Sequence, residues 1–270
     1  MKRSLVAFIL LILLCSHDLF LKPDQYYCDP HSINTLALFN GTFFTSENII
    51  TRDRIKDVQV VGPDYVFDKS LATWLDWDQK TLLKVETGQS GTYVAGISIH
   101  PRTLELSADE FDEYLEHDGV VDILKERKEA KHNAGNVMEQ YAKHVKCIFQ
   151  VGEKRTTDFN RVFNYPVEFV ALTNPGNIST AGVMDVRLLR FGTPFPDQMV
   201  YLGVPQHDTP HQEDGHAHQE KSYRTDQNGM VRIHLDHPGE YYLRTIHMVK
   251  SHTDNIDYES NWATLSFEIR

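Results

Sequence analysis

The sequence predicts a mainly β protein: two β-sandwich domains with a helical insertion. Three observations carry this. Short apolar or alternating stretches recur through residues 33–99 and again through residues 167–269. Gly, Pro and Asn turns break them at short intervals, as they do between sandwich strands. Between the two β blocks, residues 107–144 change to helical spacing.

The chain opens with Met1-Lys2-Arg3, an apolar run over residues 5–14, then Cys15-Ser16. A basic start, a short apolar stretch and a small residue before the cut are the parts of a signal peptide, here residues 1–16. The run is shorter than the roughly 20 residues that span a bilayer. Cleavage after Ser16 makes His17 the first residue of an exported, periplasmic chain. Lipid attachment at Cys15 is the weaker reading, because Leu14 stands where a small residue is wanted. Processing leaves Cys28 and Cys147. An oxidising compartment permits them to pair, and their spacing leaves pairing open.

The first domain is expected over residues 17–160, with strands at 33–39, 58–61, 82–86 and 92–99. Gly88-Gln89-Ser90-Gly91 is a turn feeding the last of these. In the insertion, Ser107-Ala108-Asp109-Glu110 has the form of a capping box: Ser as N-cap and Glu three residues on. Phe111, Tyr114 and Leu115 share a helical face, Gly119 interrupts, and residues 120–130 read as a second helix. Met138, Tyr141, Ala142 and Val145 predict a further helical face that gives way to a strand over 145–151. Residues 154–160 read as a linker. The second domain, 161–270, carries strands at 167–172, 185–189, 199–204, 230–235, 239–248 and 262–269. Asn174-Pro175-Gly176, Asp226-Gln227-Asn228-Gly229 and Asp236-His237-Pro238-Gly239 are turns among them.

The formal charge of −11 becomes more negative by two once Lys2 and Arg3 leave. Such a chain is repelled by phosphate backbones and anionic lipid, which argues against a nucleic-acid partner. No H-E-x-x-H or G-x-S-x-G occurs, and no carboxylate pair is set apart by its spacing, so no catalytic activity is expected. Asp109, Glu110, Asp112 and Glu113 sit where they oppose a helix dipole.

Histidine is the unusual residue, with fourteen in the chain. His31, His117, His132, His234, His237 and His252 lie in polar stretches where a solvated ring is the default. His144 ends a helical face and reads as packed. Two placements differ. His17, as an N-terminus, offers an α-amine and an imidazole that can chelate one ion, a donor set that suits nickel, cobalt, copper and zinc. The competing reading is a His merely tolerated at the cleavage site. His207, His211, His216 and His218 form a His-rich segment, which reads either as metal capture or as a solvated loop.

Several motifs together are similar to the domain-of-unknown-function 4198 family. They are His17-Asp18-Leu19-Phe20-Leu21-Lys22-Pro23, Leu104-Glu105-Leu106 with Phe111 and Tyr114-Leu115, and Tyr141-Ala142-Lys143-His144-Val145-Lys146. Arg224-Thr225-Asp226 with Gly229, Pro238-Gly239, Ile246-His247-Met248 and Tyr258-Glu259-Ser260-Asn261-Trp262-Ala263 complete the order. The resemblance implies two Ig-like or prealbumin-like β-sandwich domains and a periplasmic accessory role in nickel or cobalt uptake. It places His17 and His247 in matching motifs, with Glu259 in the last. His17 and His247 are therefore expected to share one ion, with Glu259 as third ligand or as acceptor behind an imidazole.

The expectation is a periplasmic nickel- or cobalt-binding and delivery protein that serves a membrane metal-uptake transporter, with copper and zinc also compatible. The alternatives are a structural or protein-contact module of the cell envelope, and a copper-dependent oxidase.

Overall fold

The computed structural model describes residues 18–130, 135–204 and 220–270. The leader, Cys15, His17 and His207, His211, His216 and His218 lie outside the described residues.

In chain order the first strands are β1 (Asp18–Pro23), β2 (Tyr27–Cys28), β3 (Ile33–Gly41), β4 (Ile55–Gly62), β5 (Tyr65–Val66), β6 (Thr73–Trp77), β7 (Lys80–Glu86), β8 (Gly91–Ile99) and β9 (Arg102–Ser107). Helices α1 (Ala108–His117) and α2 (Val121–Ala130) follow, then the long strand β10 (Asn136–Val151). The rest is β11 (Val167–Ala171), β12 (Gly182–Arg190), β13 (Thr193–Pro194), β14 (Met199–Gly203), β15 (Lys221–Arg224), β16 (Met230–Leu235), β17 (Gly239–Lys250) and β18 (Tyr258–Ile269). The protein is mainly β, as the sequence predicts.

Strands β1, β3, β7 and β6 form one four-stranded sheet, and β11, β12 and β13, with β16 beside β12, form another. A ten-stranded sheet takes the order β15-β14-β17-β18-β10-β8-β4-β5, with β2 and β9 also on β10. Side chains alternate along a strand, so the central strands of this sheet feed two cores. Val145, Cys147 and Phe149 of β10 join Leu19, Leu21, Leu36 and Leu83 of the first sheet. Ile148 of β10, with Leu243 and Leu265, joins Phe169, Val186 and Ile233 of the other. The ten-stranded sheet is thus a middle layer shared by two sandwiches. The helices extend the first-sheet side: Phe111, Leu115 and Leu124 pack on Ile246, Met248 and Trp262.

The middle sheet takes strands from both sides of the boundary expected at residues 160 and 161. β10 and β18 pair in parallel, from Glu139 opposite Tyr258 to Cys147 opposite Ser266. The expected linker is itself held in place. Lys154 N–H donates to Ser90 Oγ at 2.9 Å, and Asn174 Nδ2 donates to Thr156 O at 3.2 Å.

The helical face expected from Met138 to Val145 is corrected: those residues are strand. Residues 136–141 pair with β9 and residues 139–147 with β18. Each pairing satisfies a row of backbone groups that local helical spacing cannot outweigh, since tertiary context overrides propensity. The preceding helix forms as expected. Ser107 Oγ accepts from Glu110 N–H at 3.3 Å, and Glu110 Oε2 accepts from Ser107 N–H at 2.9 Å, closing the capping box.

Candidate functional site

Two polar clusters lie back to back on the middle sheet. The first is on the helix side, at the head of β1. Asp18 is the first residue of that strand, and β1 lies over β18, where Thr264 Oγ1 donates to Leu19 O at 2.9 Å. Arg244 of β17 stands at the centre. Its Nε is 3.7 Å from Asp18 Oδ2. Its Nε and Nη2 hold Glu220 in a two-pronged pair at 2.7 and 2.6 Å, and Nη1 donates to Asp118 O at 2.9 Å. Arg244 is therefore the post to which the head of β1, the end of α1 and Glu220 are tied.

Asp118 caps the C-terminus of α1. Its Oδ1 accepts from His117 Nδ1–H at 2.7 Å. Its Oδ2 is buried, with no hydrogen-bond partner among the described residues. Gly119 follows at φ +77°, and a Cβ there would lie 2.2 Å from Tyr201 Oη. Only glycine lets the chain leave the helix in this conformation while Tyr201 Oη donates to Gly119 O at 2.8 Å.

Deeper on the same face, Glu139 of β10 accepts from Ser260 Oγ and from Tyr114 Oη, the latter at 3.2 Å. Trp262 Nε1–H donates to Ser260 Oγ at 3.1 Å. Lys143, two turns of the pleat along β10, is buried with its ammonium 4.4 Å from the centre of the Trp262 ring. Four carboxyl groups (Asp18, Asp118, Glu139 and Glu220) thus surround two buried bases.

This composition moves the titrations. Burial raises Asp18 to about 6, partly offset by Arg244. Burial raises Glu139 to about 7 against the pull of its hydrogen bonds. Burial lowers Lys143 to about 8, although Asp18 and Asp118 favour its charge. The hydrogen bond that His117 donates to Asp118 raises His117.

The second cluster faces the other way. His247 of β17 lies opposite Asn261 of β18, and Glu259 lies opposite Val249, so His247 and Glu259 are diagonal neighbours on one face. Their side chains nevertheless engage different partners. His247 Nε2 is 3.5 Å from Arg190 Nη1, and its ring meets the edge of Phe195 at 4.7 Å. Burial and Arg190 lower it to about 4, so the ring is neutral. Glu259 accepts from Ser251 Oγ at 2.6 Å and Thr253 Oγ1 at 3.0 Å. A guanidinium beside the imidazole disfavours a cation there. His144 is spent within the protein: Nδ1 lies 2.9 Å from Ser98 Oγ and Nε2 3.0 Å from Asn261 Oδ1.

The middle sheet separates His247 from Asp18, the residue that follows His17 in sequence. Among the described residues, no group of three or more His, Cys, Asp and Glu could hold a metal ion. Sequence reading took His117 as a solvated ring and passed over Asp118. The signal was local: a His-Asp-Gly run ending a well-capped helix.

The fold and site define a layered β-sandwich protein with a buried, carboxylate-rich charge cluster. The chain belongs to the DUF4198 family, a domain of unknown function, whose model matches residues 14–249. No curated protein matches it. Among solved structures it is similar to the D0-D1 domain of intimin, with 10% identity, 93% of this chain and 97% of that one covered, and a TM-score of 0.21. It is similar to the adhesin InvE of Yersinia pseudotuberculosis, with 13% identity, coverage of 93% and 58%, and a TM-score of 0.20. It is also similar to a DUF4785 family protein of Legionella pneumophila, with 8% identity, coverage of 83% and 50%, and a TM-score of 0.23. The chain spans 58% and 50% of the last two. At these TM-scores none of the three bears on what this chain does.

Proposed function

We propose that the protein binds a divalent transition-metal ion outside the cytoplasm and delivers it to a membrane uptake system, with no catalytic step. The observation that supports this is the surplus of carboxyl groups gathered at the head of β1, next in sequence to His17. If export frees His17 as the N-terminus, its amine and imidazole add nitrogen donors directly before Asp18. Nitrogen and carboxylate oxygen together suit nickel, cobalt, copper or zinc, and nickel or cobalt is the reading favoured here. The bound ion would supply no chemistry beyond its own charge. The protein's part is to hold the donors in place, and Arg244 does so by tying Asp18 and Glu220 to one guanidinium.

Calorimetric titration of protein beginning at His17 with nickel, cobalt, copper and zinc tests this. One-site binding, weakened when a residue is added before His17, supports the reading. Absence of binding to all four ions contradicts it.

A second reading, a protein-contact module of the envelope, has one feature in its favour. β5 and β6 are edge strands, and Val66, Leu71 and Trp77 beside them are 80%, 74% and 69% exposed. Apolar side chains at open sheet edges invite another chain. That reading stands if no ion binds.

A further inference from the structure

We infer that a cavity at the other end of the middle sheet is a second binding site, which takes a small molecule carrying one carboxylate. The inference stands apart from the metal reading. Gly152 follows β10 directly and lines the cavity, and Lys143 of the charge cluster lies nine residues earlier, about 30 Å along the strand.

The cavity holds about 460 Å³, within the roughly 300–1,000 Å³ of small-molecule sites. It forms where three stretches of chain converge. β2 pairs in parallel with the end of β10, Tyr27 opposite Gln150 and Cys28 opposite Val151. The turn at Asn174-Pro175-Gly176 closes it from the side of β11 and β12, and Arg270, after β18, stands over Tyr27.

Two guanidinium groups line it. Arg155 is set in place by the backbone: Nε donates to Gly176 O at 2.9 Å and Nη1 to Glu153 O at 3.0 Å. A Cβ at Gly176 would lie 2.9 Å from that Nε, so glycine lets the guanidinium lie against the turn. Nη2 has no hydrogen-bond partner among the described residues and keeps its hydrogens for a ligand.

Arg270 is held differently. Its Cζ lies 3.7 Å from the centre of the Tyr27 ring, and its backbone O accepts from Thr180 N–H at 2.8 Å. Its Nε is 3.5 Å from Glu268 Oε1. Stacking on an aromatic face leaves the remaining edge of a guanidinium, with its N–H groups, open to a ligand.

A guanidinium matches a carboxylate or a phosphate, two parallel N–H groups to two oxygens. The rest of the lining chooses between them. Asp29 and Glu153 are exposed on the same cavity. Their charge repels a doubly charged phosphate more than a single carboxylate. Gln25, Asn177 and Ser179 supply amide and hydroxyl groups for a polar body. The ligand is therefore a monocarboxylate with hydroxyl or amide groups of its own.

Cys28 gives the test its readout. It lines the cavity and is half-buried, while Cys147 is buried. N-Ethylmaleimide on the folded protein therefore reports on Cys28, and a ligand in the cavity slows the reaction. The rate is measured with gluconate and with L-glutamine at millimolar concentration, which separates a hydroxy acid from an amino acid, and with inorganic phosphate as the contrast. Arg270→Gln and Arg155→Lys run beside the wild type, with melting temperatures to confirm folding. The Arg270 side chain is 62% exposed, so its replacement leaves the core intact. The expected result is slowing of the wild-type reaction by gluconate or L-glutamine and not by phosphate. Arg270→Gln should need about 10- to 100-fold more ligand for the same effect, the usual loss with a charge-assisted hydrogen bond. No slowing by either carboxylate in the wild type, or equal slowing in both variants and the wild type, overturns the site. Stronger protection by phosphate than by the carboxylates overturns the ligand class.

Discussion

Arg244 Nε lies 3.7 Å from Asp18 Oδ2, joining the twelve-residue strand β17 to the opening residue of β1. The same guanidinium holds Glu220 and the carbonyl of Asp118. Replacing it by an apolar side chain strands two partly buried carboxylates. Arg244→Met is expected to lose about 3–5 kcal/mol of stability in urea unfolding, the usual cost of breaking a buried pair from one side. Arg244→Lys should recover only part, because a single ammonium cannot reproduce the two-pronged contact. A loss below about 1 kcal/mol in Arg244→Met would contradict this role.

Glu139 sets a pH dependence. Its folded-state value, about 7, lies above its ordinary 4.5 because it is buried. The folded protein therefore prefers the protonated form. The stability this contributes is fully present below about pH 4.5 and is lost as pH rises through 7. Glu139→Gln is neutral throughout, so its stability relative to wild type should rise between pH 5 and pH 8, by up to about 3 kcal/mol. Melting curves of the two proteins across that window check this. A constant gap would contradict it.

Lys146 and Glu168 form a fully buried pair, 2.9 Å apart, with Glu168 also accepting from the backbone N–H groups of Phe163 and Asn164. Lys146→Met alone is expected to cost about 3–5 kcal/mol in urea unfolding. The double change Lys146→Met with Glu168→Gln should cost less than the single one, since it removes the stranded charge. A double variant less stable than Lys146→Met would show that the pair stabilises beyond its own desolvation.

Cys28 and Cys147 stay apart. Cys28 lies opposite Val151 on β10, four residues from Cys147, or about 13 Å along the strand. A disulfide requires Cα atoms within about 7 Å. Protein purified without reductant should keep both thiols. Cys28, half-buried, should react with a thiol reagent in the folded state, and Cys147 only after unfolding. A mass lower by two hydrogens would contradict this.

What was legible in the sequence was local. The capping box at Ser107 and Glu110 needs only four consecutive residues, and it formed as expected. The strand at residues 230–235 was bounded by turns and appears with those limits. β10 was misread in its first half because its partners, β9 and β18, lie on either side of it in sequence, β18 far removed. β6 gave no clean alternation, β9 is only six residues long, and neither was foreseen.

The site follows the same division. Asp18, Asp118, Glu139, Glu220 and Arg244 come from separate stretches of chain and meet only when β1 lies over β18 and α1 closes on β17. His117 looked like a solvated histidine because its meaning depends on Asp118 being buried. His247 and Glu259 were placed together in register but aimed at different partners, a distinction that strand alternation cannot reveal.

The most direct test of the metal account is the anomalous scattering of crystals grown with nickel and measured at the nickel absorption edge. The account predicts one strong peak at the head of β1, within bonding distance of a carboxylate oxygen of Asp18. A peak at His247 instead, or none, would contradict it.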